Sequence, residues 1–197
     1  MTSTERREQL IGIGRALFAE KGIDATTVEE IAAKAQVSKP VVYEHFGGKE
    51  GLYAVVVDRE TLRLLDAIRA SLTTGRSSRA VLEQAALALL DYIDDHSDGF
   101  RILVRDAPLG TGSGSYASIL SDIASQVEHL LAEAFEHRKL DSRHAPMYAQ
   151  MLVGMIAFTG QWWLDSRRPR KPEVAAHLVN LAWNGLRHLE PKPRLVD

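Results

Sequence analysis

The stretch TTVEEIAAKAQVSKPVVYEHFGGKEGLY, residues 26–53, carries closely spaced start and stop signals for short helices. Thr27 stands three residues before Glu30, a spacing at which the two side chains satisfy each other's exposed backbone amides at a helix start. Ser38 can cap a second helix, and Pro40 then falls in its first turn, where a missing N–H is tolerated. The stretch therefore predicts two consecutive helices joined by a tight turn.

The residues that follow close this unit. Gly47-Gly48 ends the second short helix, and Lys49 opens a longer one. Small Ala32 allows the two short helices to cross closely, while Val42 and Phe46, four residues apart, lie on one helix face and are expected to point into a shared core. The outline is that of a helix-turn-helix.

If Val42 and Phe46 point into the core, the opposite side of the second short helix faces solvent. This face combines rings with hydrogen-bond donors on a rigid element, which is what a reader of the DNA major groove needs. Its residues are Lys39, Pro40, Val41, Tyr43, Glu44 and His45. A plainer alternative is that Tyr43 and His45 cover apolar surface of their own chain.

Over about residues 8–56, the pattern hydroxyl-x-x-x-I-A-x-x-A-x-V-S-x-x-x-V-Y-x-H-F-x-x-K-x-x-L resembles the DNA-binding domain of the tetracycline-repressor (TetR) family of bacterial transcriptional regulators. The resemblance implies two groups of DNA contacts. The residues implied to hold phosphates are Thr27, Tyr43, His45 and Lys49. Those implied to lie near base edges are Ser38, Lys39, Pro40 and Val41. Physical chemistry supports this division, because Lys39 can donate to guanine and Pro40 or Val41 can meet a thymine methyl.

Lys49 has a plainer alternative as a solvated residue of a first helical turn. A cation is disfavoured at the N-terminal end of a helix dipole, and this favours a partner such as a phosphate.

The whole chain reads with helical periodicity, which predicts an all-α protein of about nine helices. The first is expected over about residues 4–21, ending at Lys21-Gly22. The later ones are expected at about 49–74, 78–95, 97–107, 116–137, 143–166 and 172–189, and a flexible glycine-rich segment, LGTGSGS, at residues 109–115. The predicted domains are a helix-turn-helix DNA-binding domain over 1–48 and a ligand-binding and dimerisation domain over 49–197.

The last two helices, about 143–166 and 172–189, are the most apolar long pair. Methionines and aromatic residues recur along the first at roughly helical spacing, and small residues at Gly154, Gly160 and Gly185 permit close helix approach. The pair resembles the TetR-family four-helix bundle between two protomers, which implies a homodimer. An intrachain hairpin without a partner is the alternative.

The middle of the chain is expected to contain the site of an unknown small-molecule effector, as the family resemblance implies. An apolar cavity with a few directed polar groups is typical of such sites. The candidate residues are Tyr92, His96, Phe100, Leu103, Tyr116, Met155, Phe158 and Trp162. Any one of them is also explained as an ordinary core residue. Leu62 and Leu65 are expected to extend from the fourth helix toward the same cavity.

Composition limits the remaining possibilities. The chain of 197 residues has no cysteine, which excludes disulfides and thiolate metal sites, and a net charge of -2 argues against coating DNA by bulk positive charge. Residues 1–50 contain seven Lys/Arg and eight Asp/Glu, a net side-chain charge of -1, so DNA affinity is expected to depend on two domains meeting two half-sites. No segment predicts a signal peptide or a membrane span, and a cytoplasmic location is expected.

Enzyme and metal motifs are missing. The segment GTGSGS lacks the spacing of a dinucleotide loop, and neither GxSxG nor a P-loop occurs, so no catalytic residue and no cofactor are predicted. His129 and His137 would lie about 12 Å apart along one helix, too far to share an ion. The acidic run 94–98 could bind a cation or form a solvated helix junction. The basic run 167–172 is interpreted as a solvated loop.

Together these features predict a homodimeric, ligand-responsive regulator, a repressor by analogy with the family, that binds a palindromic operator. An activator would share the same binding face. A helical small-molecule binding protein or enzyme with a vestigial DNA-binding domain is the alternative from another class.

Overall fold

The computed structural model describes residues 1–74, 77–105, 115–191 and 193. Within these residues the chain forms nine α-helices, one 3-10 turn and no strand, so the all-α prediction is confirmed. The helices are α1 (Ser3–Ala25), α2 (Val28–Ala35), α3 (Lys39–Phe46), α4 (Lys49–Thr74), α5 (Ser78–Asp95), α6 (Ser97–Arg105), α7 (Tyr116–His137), α8 (Ala145–Ser166) and α9 (Lys171–Arg187); the 3-10 turn is Ser142–His144.

Helix boundaries agree with the local signals to within a few residues. The first helix continues beyond its predicted end, but its regular part stops there, because Gly22 has φ 83° and interrupts the helix before Ala25. The predicted glycine-rich segment falls at 109–114 outside the described residues, as do the last two residues of the predicted sixth helix. None of the helices in the described part of the chain is long and apolar enough to cross a membrane.

The start of α2 forms as its sequence predicts. The Thr27 hydroxyl accepts from the backbone N–H of Glu30 at 3.2 Å, and the Glu30 carboxylate accepts from the backbone N–H of Thr27 at 3.2 Å. The start of α3 differs in one respect: Ser38 occupies the N-cap position, but its side chain makes no capping hydrogen bond. Pro40 lies in the first turn, and Gly47 ends α3 with φ 72°.

Gln36 ends α2 in the left-handed conformation, with φ 55° and ψ 44°, although it is not a glycine. Its side chain is exposed, and its backbone N–H bonds to the carbonyls at the end of α2. We expect Gln36→Gly to raise the free energy of unfolding by about 0.5–1 kcal/mol, because relief of the left-handed strain exceeds the added chain entropy of glycine. Gln36→Val should instead cost more than about 1 kcal/mol. Thermal or urea denaturation of the three proteins tests the order; equal stabilities would contradict it.

The chain divides into two compact units, which do not follow the predicted boundary after residue 48. The first unit is Met1–Arg63 with His96–Tyr116, and the second is Leu64–Asp95 with Ala117–Asp197. The first unit therefore contains α1 to α3, the first part of α4 and α6. Local motifs gave no sign of α6 joining it, because this association depends on packing between distant segments.

The first unit has one apolar core. Residues from α1, α2, α3, α4 and α6 contribute to it, and Ile102 is the member from α6. Val42 is fully buried there and Phe46 packs against its edge, as predicted, and Val37 packs against the same core. Burial of an aliphatic side chain contributes about 1.5–3 kcal/mol, so this core holds the two short helices that could not be stable alone.

A hydrogen bond and a close packing contact attach α6 to the rest of the first unit. The Arg105 guanidinium donates to the carbonyl oxygen of Phe18 at 3.2 Å. Gly99 lies against the carboxylate of Glu60, which is only 2% exposed and forms ion pairs with Arg15 at 3.4 Å and Arg63 at 2.6 Å. Gly99 thus gives α6 a close approach to a buried, paired carboxylate.

In the second unit, α5 packs against α8 and α9. Gly160 explains how α8 approaches α5, because a Cβ at this position would lie 2.9 Å from side-chain atoms of Leu89 and Ile93. The small residue at 160 therefore serves packing within the chain.

The sequence predicts a solvated loop for the basic run 167–172, but two of its residues form ion pairs with α5. Arg167 pairs with Asp94 at 3.1 Å, and Lys171 pairs with Asp91 at 2.6 Å and Asp94 at 3.3 Å. The hydrogen bond with Asp91 is the main cause of the raised pKa of Lys171. The acidic end of α5 thus has basic partners in its own unit, a pairing that residues about 75 positions apart do not reveal in sequence.

Candidate nucleic-acid interface

The recognition helix α3 is held in place by contacts at its core face and its C-terminal end. The Arg7 guanidinium donates to the carbonyl of His45 at 2.8 Å and lies 4.5 Å from the centre of the Phe46 ring. A cation near a helix C-terminus stabilises the helix dipole, so Arg7 fixes the end of α3. No local pattern identifies this role, because Arg7 lies 38 residues before its partner.

The predicted contact residues divide by exposure. Thr27, Ser38, Lys39, Pro40 and Tyr43 are exposed, and the Tyr43 ring is 54% accessible. These five form the open part of the predicted DNA-binding face, which we call the recognition surface.

Three of the predicted DNA-contact residues are less exposed to solvent than their positions on the helix predict. Val41 is half-buried and packs against the core of the first unit, and His45 is also half-buried, with its ring 6.1 Å from that of Phe46. Packing on the core thus takes part of the surface that Val41 was predicted to offer to a thymine methyl. Lys49 is half-buried as well, with partners described below.

Lys39, the predicted guanine donor, forms an ion pair with Glu29 of α2. Both side chains remain more than half exposed, at 53% and 58%. The hydrogen bond from Lys39 is the leading cause of the lowered pKa of the Glu29 carboxyl. An exposed pair of this kind contributes only about 0–1 kcal/mol, and a phosphate or guanine can therefore compete for the ammonium.

Thr27 combines two predicted roles. Its hydroxyl caps α2 through Glu30, whose carboxylate also binds Lys21. That bond from Lys21 is the leading cause of the lowered pKa of Glu30. Thr27 is nevertheless exposed, so the residue lies on the recognition surface while its backbone N–H is held by Glu30.

The structure gives Lys49 three backbone partners instead of an open position. Its ammonium donates to the carbonyl oxygens of Ile23, Asp24 and Thr26 at 3.0, 3.4 and 3.1 Å. These carbonyls belong to the end of α1 and the junction that leads into α2. The predicted solvated and phosphate-bound alternatives both differ from this arrangement.

The predicted effector residues do not form one cluster within either unit. His96, Phe100, Leu103 and Tyr116 belong to the first unit, and Tyr92, Met155, Phe158 and Trp162 to the second. Phe100 and Tyr116 are buried and contact each other edge to face at 5.8 Å between ring centres. Tyr92 and Leu103 are also buried, whereas Phe158 and Trp162 are 71% and 54% exposed. Leu62, expected to point inward, is 58% exposed.

A cavity of about 310 Å³ lies elsewhere in the second unit. It is bordered by the end of α7, the start of α8 and the segment after α9, and Phe135, Tyr148 and Leu189 supply much of its apolar wall. No predicted effector residue lines it. Among the described residues, no three histidine, aspartate or glutamate side chains are arranged to hold a metal ion.

One side of α8 presents an apolar stripe that the described part of the chain leaves uncovered. Met147, Met151, Phe158 and Trp162 are between 47% and 71% exposed, at spacings of four, seven and four residues. On α9, Leu181 is 67% exposed. A Cβ at Gly154 or Gly185 would meet nothing within 4 Å. We call this surface the α8/α9 face.

Comparisons with known proteins all find similarity to one family of bacterial regulators. Residues 10–56 match the family described as "Bacterial regulatory proteins, tetR family", and residues 78–185 match the "Tetracyclin repressor-like, C-terminal domain". The chain is 30% identical over 190 residues to the HTH-type transcriptional activator FasR of Mycolicibacterium smegmatis, covering 94% of this chain and 84% of that protein.

Solved structures show the same fold. A TetR-like transcriptional regulator from Rhodococcus sp. RHA1 superposes with a TM-score of 0.72 and 27% identity, covering 93% of this chain and 97% of that chain. A putative transcriptional regulator from Pseudomonas aeruginosa PAO1 has a TM-score of 0.77 at 17% identity, covering 94% and 92%. The family matches cover both compact units, and the helix-turn-helix carries the recognition surface, so the chain belongs to the tetR family of bacterial DNA-binding transcriptional regulators.

Proposed function

We propose that this protein is a homodimeric transcriptional regulator that reads a palindromic operator through α3 and responds to a small molecule. The observation that carries the proposal is the recognition surface, whose five exposed residues lie on α3, at its N-cap and at the N-cap of α2. Buried Val42 and Arg7 anchor α3. Lys39 and Pro40 are suited to base edges, while Thr27 and Tyr43 are suited to phosphates. We assign the protein no enzymatic activity and propose that it acts in the cytoplasm.

The α8/α9 face supports the homodimer through 143–166 and 172–189. Its exposed apolar residues on α8 recur at i, i+4, i+11 and i+15, which places them on one stripe of the helix. An apolar patch of this kind marks an interface, and a two-fold axis would place each stripe against its counterpart. Gly154 and Gly185, which have open space around them, would permit a close approach of the partner's helices.

The low net charge of the DNA-binding unit also favours binding by two copies over binding by one. Residues 1–50 carry a net side-chain charge of -1, so one copy gains little from general attraction to phosphates. Two copies linked by one interface bind the second half-site as an intramolecular event, which raises the overall affinity. We therefore expect operator binding to depend on dimerisation.

The sign of regulation follows from where the operator lies. We propose a repressor, in which the dimer occupies a palindrome overlapping a promoter and excludes polymerase. The relationship to a protein named as a transcriptional activator favours activation as the second candidate. A footprint upstream of the promoter would support activation, and one across the promoter would support repression.

The effector is proposed to bind among the buried residues predicted for it, whereas Phe158 and Trp162 are assigned to the proposed dimer face. The tetracyclin repressor-like match over 78–185 supports a sensing role. Within the first unit, buried Phe100, Leu103 and Tyr116 would offer apolar surface, and His96 a polar group. Tyr92 is buried in the second unit. To reverse operator occupancy from 99:1 to 1:99, an effector must prefer the non-binding state by about 5.5 kcal/mol.

Random-site selection with the purified protein tests the proposal. We expect enrichment of an inverted repeat whose half-sites lie about 34 Å, or one helical turn, apart, because two recognition helices must enter successive major grooves. Repeating the selected-site binding with candidate effectors then tests sensing. Failure to enrich any palindrome over random DNA would contradict the proposal.

Selection with Lys39→Ala provides the matched comparison. Loss of this donor should relax the preference at one position of each half-site by about 1–3 kcal/mol, while Lys39→Arg should retain a guanine preference there. An unchanged sequence preference in the alanine variant would remove Lys39 from base recognition without affecting the wild-type result.

A further inference from the structure

Lys49 begins α4 but directs its charge at another helix. Its ammonium lies beside the carbonyls of Ile23, Asp24 and Thr26, at the C-terminal end of α1. A cation is disfavoured at a helix N-terminus and favoured at a C-terminus. The structure therefore resolves the unfavourable position of Lys49 on α4 by pairing it with the negative end of α1.

The three contacts use the full donor capacity of the side chain. A lysine ammonium has three N–H donors, and the three carbonyls lie at 3.0, 3.1 and 3.4 Å. A DNA phosphate could bind Lys49 only by displacing one of these carbonyls. Each displaced carbonyl would then have to find another donor at the helix end.

The segment that Lys49 holds is the one that positions Thr27. The α1 helix is interrupted at Gly22, where φ is 83°, and the Thr26 hydroxyl donates to the Gly22 carbonyl at 2.7 Å. Thr26 is fully buried, whereas Thr27, the next residue, is exposed and caps α2. The junction between α1 and α2 is thus fixed on its inner side by Thr26 and Lys49.

We infer that Lys49 is a positioning residue for DNA binding: it ties the start of α4 to the α1–α2 junction and so holds Thr27 on the recognition surface, without itself binding a phosphate. The inference rests on the proposed operator binding. It differs from the family-based expectation in a measurable way, because a phosphate contact contributes to the salt dependence of binding and a positioning contact does not.

The test measures binding of wild type, Lys49→Ala and Thr27→Ala to the duplex obtained by random-site selection, over a range of KCl concentrations. We expect Lys49→Ala to weaken binding about tenfold while the slope of log K against log salt stays within about 0.3 of the wild-type slope. Loss of a phosphate contact would lower the slope by about 0.9 for each protomer, and that result would overturn the inference.

The double variant tests whether Lys49 acts through the junction. If Lys49 holds Thr27 in place, the effects of Lys49→Ala and Thr27→Ala on the binding free energy are not additive. The double variant should then bind the duplex with about the affinity of whichever single variant binds it less tightly. Lys49→Arg, which keeps a cation and donors, should recover most of the affinity. Additive effects would show that the two residues contact DNA independently.

Lysine acetylation rates test the inference on the wild-type protein, so this test does not depend on whether a variant folds. We expect acetylation of Lys49 in the free protein to be at least about tenfold slower than that of Lys34, an exposed lysine of α2, and to change little on adding the duplex. Fast modification of Lys49 that slows only on DNA would overturn the inference. Failure of the wild type to bind any duplex would instead remove the proposed function.

Discussion

Gly99→Ala is expected to lower the free energy of unfolding by about 2–4 kcal/mol. A Cβ at this position would lie 2.2 Å from Oε2 and 2.5 Å from Cδ of Glu60. The carboxylate has little room to yield, since Glu60 is 2% exposed and held by Arg15 and Arg63. Relief of the clash therefore requires α6 to move or a buried ion pair to break. Thermal and urea denaturation measure the loss.

A double-mutant cycle with Glu60→Ala identifies the cause. Removal of the carboxylate is itself expected to destabilise the protein, because Glu60 is the shared partner of two arginines. In that background, however, Gly99→Ala should cost less than about 1 kcal/mol, since the atoms that it meets are gone. A cost equal to that in the wild-type background would contradict the steric explanation.

Gly12→Ala is the matched control on α1. Gly12 is exposed within the helix, and a Cβ there would meet nothing within 4 Å. The substitution should stabilise the protein by about 0.5–1 kcal/mol, because alanine has the higher helix propensity. Opposite signs at positions 12 and 99 would show that the loss at Gly99 comes from its contact and not from replacing a glycine.

Phe158→Glu is expected to raise the dissociation constant of the dimer by at least about a thousandfold. Phe158 is 71% exposed in the single chain, so the substitution should leave the fold of one protomer intact. In a two-fold interface it would bury two carboxylates among apolar side chains, each costing several kcal/mol. Sedimentation equilibrium should then show monomers, and affinity for the palindromic duplex should fall in parallel.

Leu62→Glu is the matched control, since Leu62 is 58% exposed on α4, outside the α8/α9 face. This variant should remain dimeric and bind the palindromic duplex as the wild type does. A Phe158→Glu protein that stays dimeric would place the interface elsewhere. A Phe158→Glu monomer that binds the palindrome with wild-type affinity would separate dimerisation from DNA binding.

Much of the fold could be predicted because its signals act over a few residues. The capping pair Thr27 and Glu30, Pro40 in the first turn of α3 and Gly47 at its end each bias the backbone locally. Such interactions hardly depend on the rest of the chain, so the predicted positions of α2 and α3 were correct. Gln36 marks the limit of this reasoning, because the left-handed conformation at the end of α2 is occupied without the glycine that usually signals it.

The candidate site was predicted less completely, and the reason is the range of the contacts. The motif correctly identified the side of α3 that carries Lys39, Pro40 and Tyr43, since helical periodicity alone decides which residues share a face. It did not identify the partner of Lys39, because Glu29 belongs to another helix and is brought near only when α2 and α3 cross.

Taken by itself, the sequence determined the helical class, the positions of most helices and the outward side of the recognition helix, because these follow from periodicity and from capping within a few residues. Only the tertiary structure decided that Lys49 binds the end of α1, that Gly99 lies against Glu60 and that Phe158 and Trp162 remain exposed. The first two properties depend on residues 23 to 39 positions apart, and the third on which faces the described part of the chain leaves uncovered. Packing alone sets both.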